Sequence, residues 1–271
     1  MTTASLPPRT ALFLPASNAR AIEKARELDA DMVILDLEDA VKPEMKAEAR
    51  AMAVAAMAEG FGERLTAIRL NGTDSTEHMQ DVIATAHSAA GFAVLPKAED
   101  PARVAAVVEQ LEGKPLLVMI ETPRGVLNAA AIAALPGVEG LIAGTNDLRA
   151  ELRIPPSASR DSLSLALQAI VLAARAGGCW AFDGVFNKLD DPDGLAAECR
   201  HGRDLGFDTK TLIHPNQVAV AAAAFGPTPE EIADARALVE AATGGAERFR
   251  DRMIEAMHVA EARTVLARTG G

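Results

Sequence analysis

Four short apolar runs end on residues that can do chemistry. Glu121 closes "LLVMI" (116–120), and Asp147 follows "GLIAG" (140–144) inside "GTNDL". Two carboxylates from successive strand exits suffice for one hard divalent cation, because Mg2+ takes one or two protein carboxylates and completes its shell with water and substrate oxygens. Each also has a plainer reading, a helix N-cap for Asp147 and a salt bridge for Glu121. Arg69 closes "LTAIRL" (65–70). Its planar fork suits a carboxylate or a developing enolate oxygen, or an ion pair with "DLED" (36–39), which supplies Asp36, Glu38 and Asp39. Lys97 follows "FAVLP" (92–96), but a Schiff-base lysine needs a depressed pKa, and surrounding acids raise it. Among the five histidines there is no H-E-x-x-H. His78, His87 and His201 fall in helical stretches and are expected at the surface. His214, before Pro215, is expected to fix a turn.

These groups must be held by the elements around them. Further strand candidates are "ALFLP" (11–15), "MVILD" (32–36), "CWAFD" (179–183) and "KTLIH" (210–214), which brings the total to eight. Each is short and bounded by polar or turn residues, as buried parallel strands are. Asp100-Pro101, Thr122-Pro123 and Thr228-Pro229 place an acceptor at an N-cap and proline at the first helical position. Glu231 completes a capping box with Thr228, and Asp74 with Glu77 predicts a similar pair before "HMQDVIATAHSAAG". Gly91, Gly113, Gly137 and Gly206 lie near helix exits, where positive φ is common.

Alternating strands and helices predict a parallel sheet. A doubly wound sheet would carry G-x-G-x-x-G after its first strand, and "LPASNARAI" does not. The pattern therefore favours a (β/α)8 TIM barrel, whose chemistry gathers at the carboxyl ends of the strands. On that frame Asp36, Glu38, Asp39, Arg69, Asn71, Lys97, Glu121, Asn146, Asp147, Asp183 and His214 converge on one rim.

Composition narrows the partners. The 271 residues carry 27 Lys plus Arg against 38 Asp plus Glu, a net charge of -11. No broad positive surface is available for a polyanion, and with 3% aromatics and no tyrosine there is little to stack on bases. Nucleic acid is excluded as the target. Cys179 and Cys199 stand twenty positions apart in no metal or redox spacing and read as reduced thiols. No apolar run reaches the roughly 18 residues that span a bilayer. "MTTASLPPRT" lacks the charged leader and long apolar segment of a signal peptide, so a cytoplasmic protein is expected.

Six motifs taken in order carry a family resemblance: "ILDLEDAVKPEMKAEAR" (34–50), "IRLNGTDS" (68–75), "VLPKAED" (94–100), "IETPRGVLNA" (120–129), "GTNDL" (144–148) and "LIHPNQV" (212–218). The chain resembles the citrate lyase β-subunit family, with its stand-alone citramalyl-CoA and malyl-CoA lyases, from Arg9 to about residue 268. The resemblance implies a barrel over residues 1–225 and a C-terminal helical extension over 226–271 that covers a neighbouring subunit's active site. The oligomer implied is a trimer or a dimer of trimers. It implies Mg2+, with Mn2+ as a substitute, on Glu121 and Asp147, and Arg69 on substrate. Phe13, Arg20 and Asn187 join Arg69 as the substrate- and CoA-binding residues.

The reaction implied is reversible cleavage of a carboxylated 3-hydroxyacyl-CoA to acetyl-CoA and a 2-oxo acid, pyruvate or glyoxylate. Three rivals share the motifs: a thioesterase on the same site, a non-CoA pyruvate aldolase, and a β-subunit working only with an acyl-carrier partner. Against the aldolase, Asp39 stands where those enzymes usually carry histidine. The catalytic acid of the stand-alone lyases is an aspartate in a C-terminal "M-I-D" segment; "DRMIEAMHVAEARTVLAR" (251–268) has Glu255 there. Glutamate keeps the acid and adds a methylene, and a misplacement near 1 Å can cost about 10²-fold.

Overall fold

The computed structural model describes residues 6–268, so the first five residues of the segment read for a leader lie outside it. Eight parallel strands close into a barrel: β1 (Thr10–Pro15), β2 (Met32–Asp36), β3 (Leu65–Arg69), β4 (Phe92–Leu95), β5 (Leu116–Ile120), β6 (Val138–Ala143), β7 (Trp180–Asp183) and β8 (Thr209–Leu212). Each pairs with the next, and β1 pairs with β8 from Thr10↔Lys210 to Leu12↔Leu212. Around it run α1 (Ala19–Ala25), α2 (Lys46–Glu59), α3 (His78–Ala86), α4 (Pro101–Gln110), α5 (Pro123–Ala133), α6 (Thr145–Glu151), α7 (Ser164–Gly177), α8 (Pro192–Asp204) and α9 (Val218–Phe225). The (β/α)8 expectation holds.

Strand side chains alternate faces, so every run has an inner and an outer set. Leu12, Leu14, Val33, Leu35, Ile68, Val118, Leu141 and Leu212 face the helices in one large cluster. Ala11, Phe13, Met32, Ile34, Ala67, Val94, Leu117, Met119, Ile142 and Phe182 fill the barrel as a separate one. Both faces are dry, which is why the strands read as unbroken apolar runs.

Three expected caps form. Asp100 accepts from Ala102 N, Thr122 accepts from Gly125 N, and Thr228 with Glu231 closes a capping box. The fourth does not. Glu77 sits at the α3 N-cap in helical conformation without a side-chain cap, because its carboxylate binds Arg50 while Asp74 binds Arg103. Gly113, Gly137 and Gly206 adopt positive φ; Gly91 does not. His87 is exposed, but His78 is buried, with Nδ1 2.8 Å from Asn71 O. His201 is half-buried, and its Nδ1 accepts from Arg160 Nε at 3.1 Å. His214 caps the turn Pro215–Gln217 as expected.

Beyond Phe225 the chain forms α10 (Pro229–Ala241), a hairpin of β9 (Glu247–Phe249) and β10 (Arg252–Ile254), and α11 (Ala256–Ala267). Ala235, Leu238, Phe249, Ile254 and Ala262 give this segment an apolar cluster of its own. Among the described residues no helix is long and apolar enough to cross a membrane.

Candidate active site

One further step of the inner alternation carries β2 from Ile34 to Asp36, β3 from Ala67 to Arg69, and β5 from Met119 to Glu121. A polar layer thus sits on the apolar floor formed by Phe13, Met119 and Ile142. Together they bound a cavity of about 400 Å³ at the carboxyl end of the barrel, which Asp39, Asn146 and Asp147 also line. The same parity corrects one expectation. Asp183 follows inward-facing Phe182 and so points outward, where its Oδ2 faces Gly202 of α8. It takes no part in the rim.

Arg69 is clamped. Its Nε donates to Asp36 Oδ1 at 2.6 Å and its Nη2 to Oδ2 at 2.5 Å, a bidentate fork. Nη1 lies 3.0 Å from Glu38 Oε2, close enough for attraction though out of line for a hydrogen bond. The guanidinium stacks 5.1 Å above the Phe13 ring. Burial disfavours its charge, but Asp36, Glu38 and Asp39 outweigh burial and raise its pKa, so it stays a cation. Both sequence readings of Arg69 meet here: the ion pair with "DLED" is what holds the arginine at the cavity.

Asp36 also accepts from the backbone N–H groups of Glu38 (2.8 Å) and Ala40 (3.2 Å), folding the loop over its own carboxylate. Lys46 fastens that loop from outside. Its ammonium spends all three donors on Leu37 O, Glu38 O and Asn71 Oδ1, at 2.6, 2.6 and 2.7 Å. Sequence reasoning missed Lys46; the only signal was a lone lysine opening a helix, where a cation is disfavoured by the dipole.

Glu121 is 3% exposed, and its Oε1 accepts from Lys97 N at 2.6 Å. Burial, aided by the negative charge of Glu38 and Asp147 and opposed by the Lys97 N–H, pushes its pKa up to about 7. Asp147, half-buried in the first turn of α6, has no ion pair or hydrogen-bond partner among the described residues. Gly144 completes the pocket: a Cβ there would stand 2.3 Å from Glu121 Oε2, so only glycine leaves that oxygen room. Lys97 Nζ, 2.6 Å from Glu38 Oε1, is drawn further toward its charged form by Glu38 and Asp39 against burial, which rules it out as an amine nucleophile at neutral pH.

These residues fit a hard cation. Two carboxylates of one cavity face each other's charge, and Glu121 Oε2 accepts no hydrogen bond among the described residues. No group of three or more His, Cys, Asp or Glu encloses a metal among them, which disfavours a zinc-type cage and leaves room for water and substrate oxygens.

Other candidates lie further out. Asn187 exchanges amide hydrogen bonds with Asn146 (2.7 and 3.3 Å), tying the loop after β7 to the residue before Asp147. Arg20 is exposed on α1 and lies outside the cavity. Glu255 is exposed at the start of α11, where its N–H donates to His258 Nδ1 at 3.0 Å and its backbone carbonyl accepts from His258 N at 3.0 Å. It does not reach the cavity of its own chain.

A closed parallel barrel whose carboxyl-end mouth gathers carboxylates around a clamped arginine defines a TIM-barrel enzyme. Residues 9–215 match the HpcH/HpaI aldolase/citrate lyase family, and residues 162–270 match a carbon–carbon bond lyase of the TIM-barrel fold. The chain belongs to the HpcH/HpaI aldolase/citrate lyase family and is an enzyme of the carbon–carbon lyase type. It is 42% identical over 270 residues to a (3S)-malyl-CoA thioesterase of Cereibacter sphaeroides, covering 97% of this chain and 94% of that protein. The structure of CitE from Mycobacterium tuberculosis in complex with magnesium, acetoacetate and coenzyme A superposes with a TM-score of 0.82 at 33% identity, over 99% of both chains. A citrate lyase β subunit from the same organism, complexed with oxaloacetate and magnesium, superposes with a TM-score of 0.72 at 35% identity, over 83% of this chain and 98% of that one.

Proposed function

We propose that the protein is a Mg2+-dependent lyase that reversibly splits a carboxylated 3-hydroxyacyl-CoA, of citramalyl-CoA or malyl-CoA type, into acetyl-CoA and a 2-oxo acid. The observation that carries this reading is the pair Glu121 and Asp147, short of hydrogen-bond partners, beside a clamped Arg69 in one cavity. Magnesium, coenzyme A and oxo acids in related structures support it. Mg2+ on Glu121 and Asp147 would polarise the oxygen beside the substrate carboxylate, with Mn2+ as a substitute. Arg69, held by Asp36 so that no reorganisation is needed, donates to the oxygen of the thioester enolate that forms as the carbon–carbon bond breaks. Phe13 walls the cavity beneath Arg69. Arg20, exposed on α1 with no ion pair among the described residues, meets a CoA phosphate, and Asn187 shapes the entrance through Asn146.

Protonation of the enolate carbon falls to Glu255 from a neighbouring subunit, since its own cavity is out of reach. On this reading the working form is a homo-oligomer, trimer or dimer of trimers, with 226–271 acting as the lid over a 1–225 barrel. Glu255→Ala is expected to slow turnover about 10²-fold. Glu255→Asp is expected to preserve or raise it, and unchanged rates in the alanine variant would remove the assignment.

A second reading, hydrolysis of the thioester on the same residues, is favoured by the relative named as a malyl-CoA thioesterase. Product analysis separates the two. Malyl-CoA with Mg2+ yields acetyl-CoA and glyoxylate without free thiol from a lyase, and malate with free CoA from a thioesterase. Neither product set would sink both.

A further inference from the structure

Four non-glycine residues adopt positive φ among those described: Lys97 (52), Glu112 (52), Arg153 (55) and Arg250 (55). Glu112 and Arg153 follow the ends of α4 and α6, and Arg250 sits in the β9–β10 turn, where left-handed residues are routine. Lys97 is different. It leaves a barrel strand, where no turn type demands the conformation, and a Cβ makes that conformation costly. Strain kept at a functional site invites the question of what it aims.

It aims an N–H. With the peptide so turned, Lys97 N donates to Glu121 Oε1 at 2.6 Å. A carboxylate held by one oxygen is fixed in rotation, and the other oxygen lies beside Gly144, which lines the same cavity as Glu121. The side chain does separate work. Lys97 Nζ pairs with Glu38 Oε1 at 2.6 Å and stands 3.6 Å from Asp39 Oδ1, anchoring the strained residue to the loop that holds Arg69. Lys97 thus stands between the two halves of the site.

We propose that Lys97 is a positioning residue that acts through its backbone, its left-handed peptide orienting Glu121 so that Oε2 is the metal-facing oxygen. This rests on the Mg2+ reading of Glu121. The test compares Lys97→Gly, which keeps the N–H and favours positive φ, with Lys97→Val, whose branched side chain forces the peptide to turn. Crystal structures of both metal-free variants are read for the contact between residue 97 N and Glu121 Oε1. Calorimetry with MgCl2 gives the affinity.

Lys97→Gly is expected to keep the contact and to bind Mg2+ within about twofold of the parent. Lys97→Val is expected to lose the contact and to bind at least about tenfold more weakly, the usual scale for groups that orient a metal ligand. An equal loss in both variants would overturn the proposal in favour of the ammonium, and a kept contact and affinity in Lys97→Val would overturn it outright. Should Lys97→Val not fold, Lys97→Gly alone decides. A parent protein that binds no Mg2+ refutes the metal reading, and the crystallographic contact still judges the role of the peptide.

Discussion

Two charge clusters, one buried and one at the open mouth, lie on opposite faces of the same barrel wall. Outside β7 and β8, Lys210 Nζ binds Asp183 Oδ2 at 2.9 Å and Glu198 Oε1 at 2.7 Å, while Arg160 reaches the same two carboxylates. Two anions meet two cations. Inside the mouth, Asp36, Glu38, Asp39, Glu121 and Asp147 meet only Arg69 and Lys97, leaving three negative charges in excess. For Asp183, burial would raise the pKa, but Lys210 and Arg160 prevail and hold it below the usual carboxylate range. For Glu121, burial has no such answer, and the pKa climbs to about 7. A balanced buried cluster holds the fold together; an unbalanced one awaits a charge from solution. Both lie within a few residues of a strand end, so position along the chain does not separate them.

The sharpest way to break the contrast is at the mouth. Asp147→Ala is expected to cut Mg2+-dependent turnover by about 10³-fold or more, because several kcal/mol of charge stabilisation go with the ion. Its melting temperature without metal should hold or rise, since one of the excess charges is gone. Activity retained in steady-state assays, or a collapse in melting, would place Asp147 with the structural cluster instead. Asp183→Asn should do the reverse. It leaves Lys210 and Arg160 to share Glu198 alone, costing about 3–5 kcal/mol in urea unfolding while turnover per folded molecule stays intact.

The smallest effect sharpens the distinction through pH. Glu121 has a folded pKa above its ordinary 4.5, so it weakens the metal-free fold as pH rises from there through about 7. Mg2+ needs the carboxylate and must displace that proton. Affinity should therefore fall about tenfold per unit below pH 7 and level off above it. Calorimetry in buffers of different ionisation heat should find close to one proton released per Mg2+ at pH 6, and almost none at pH 8.5. Asp183 acts oppositely, stabilising the fold at neutral pH and losing that contribution only in acid, as pH drops through its lowered pKa.

The barrel was legible because its strands are dry on both faces. "MVILD" and "LLVMI" coincide with β2 and β5, and the others end within two residues of their expected limits. The order of Arg69, Glu121 and Asp147 around the mouth followed from that frame. The error at Asp183 arose from reading strand exits without their faces. The alternation was present in "CWAFD": Phe182 inward forces Asp183 outward. Other features were not written locally. Lys46 reaches backbone carbonyls and Asn71 across a loop, and the Lys97 N–H meets Glu121, twenty-four positions on. Glu77 looked like a cap until a distant arginine claimed it.

Gly144 makes room for Glu121 by what it lacks. Gly245, with open space around it, could carry almost any side chain. At 144 even a methyl group would stand 2.3 Å from both the Cβ and Oε2 of Glu121, so any other residue there must displace that side chain. The smallest residue in the mouth is thereby its least replaceable one.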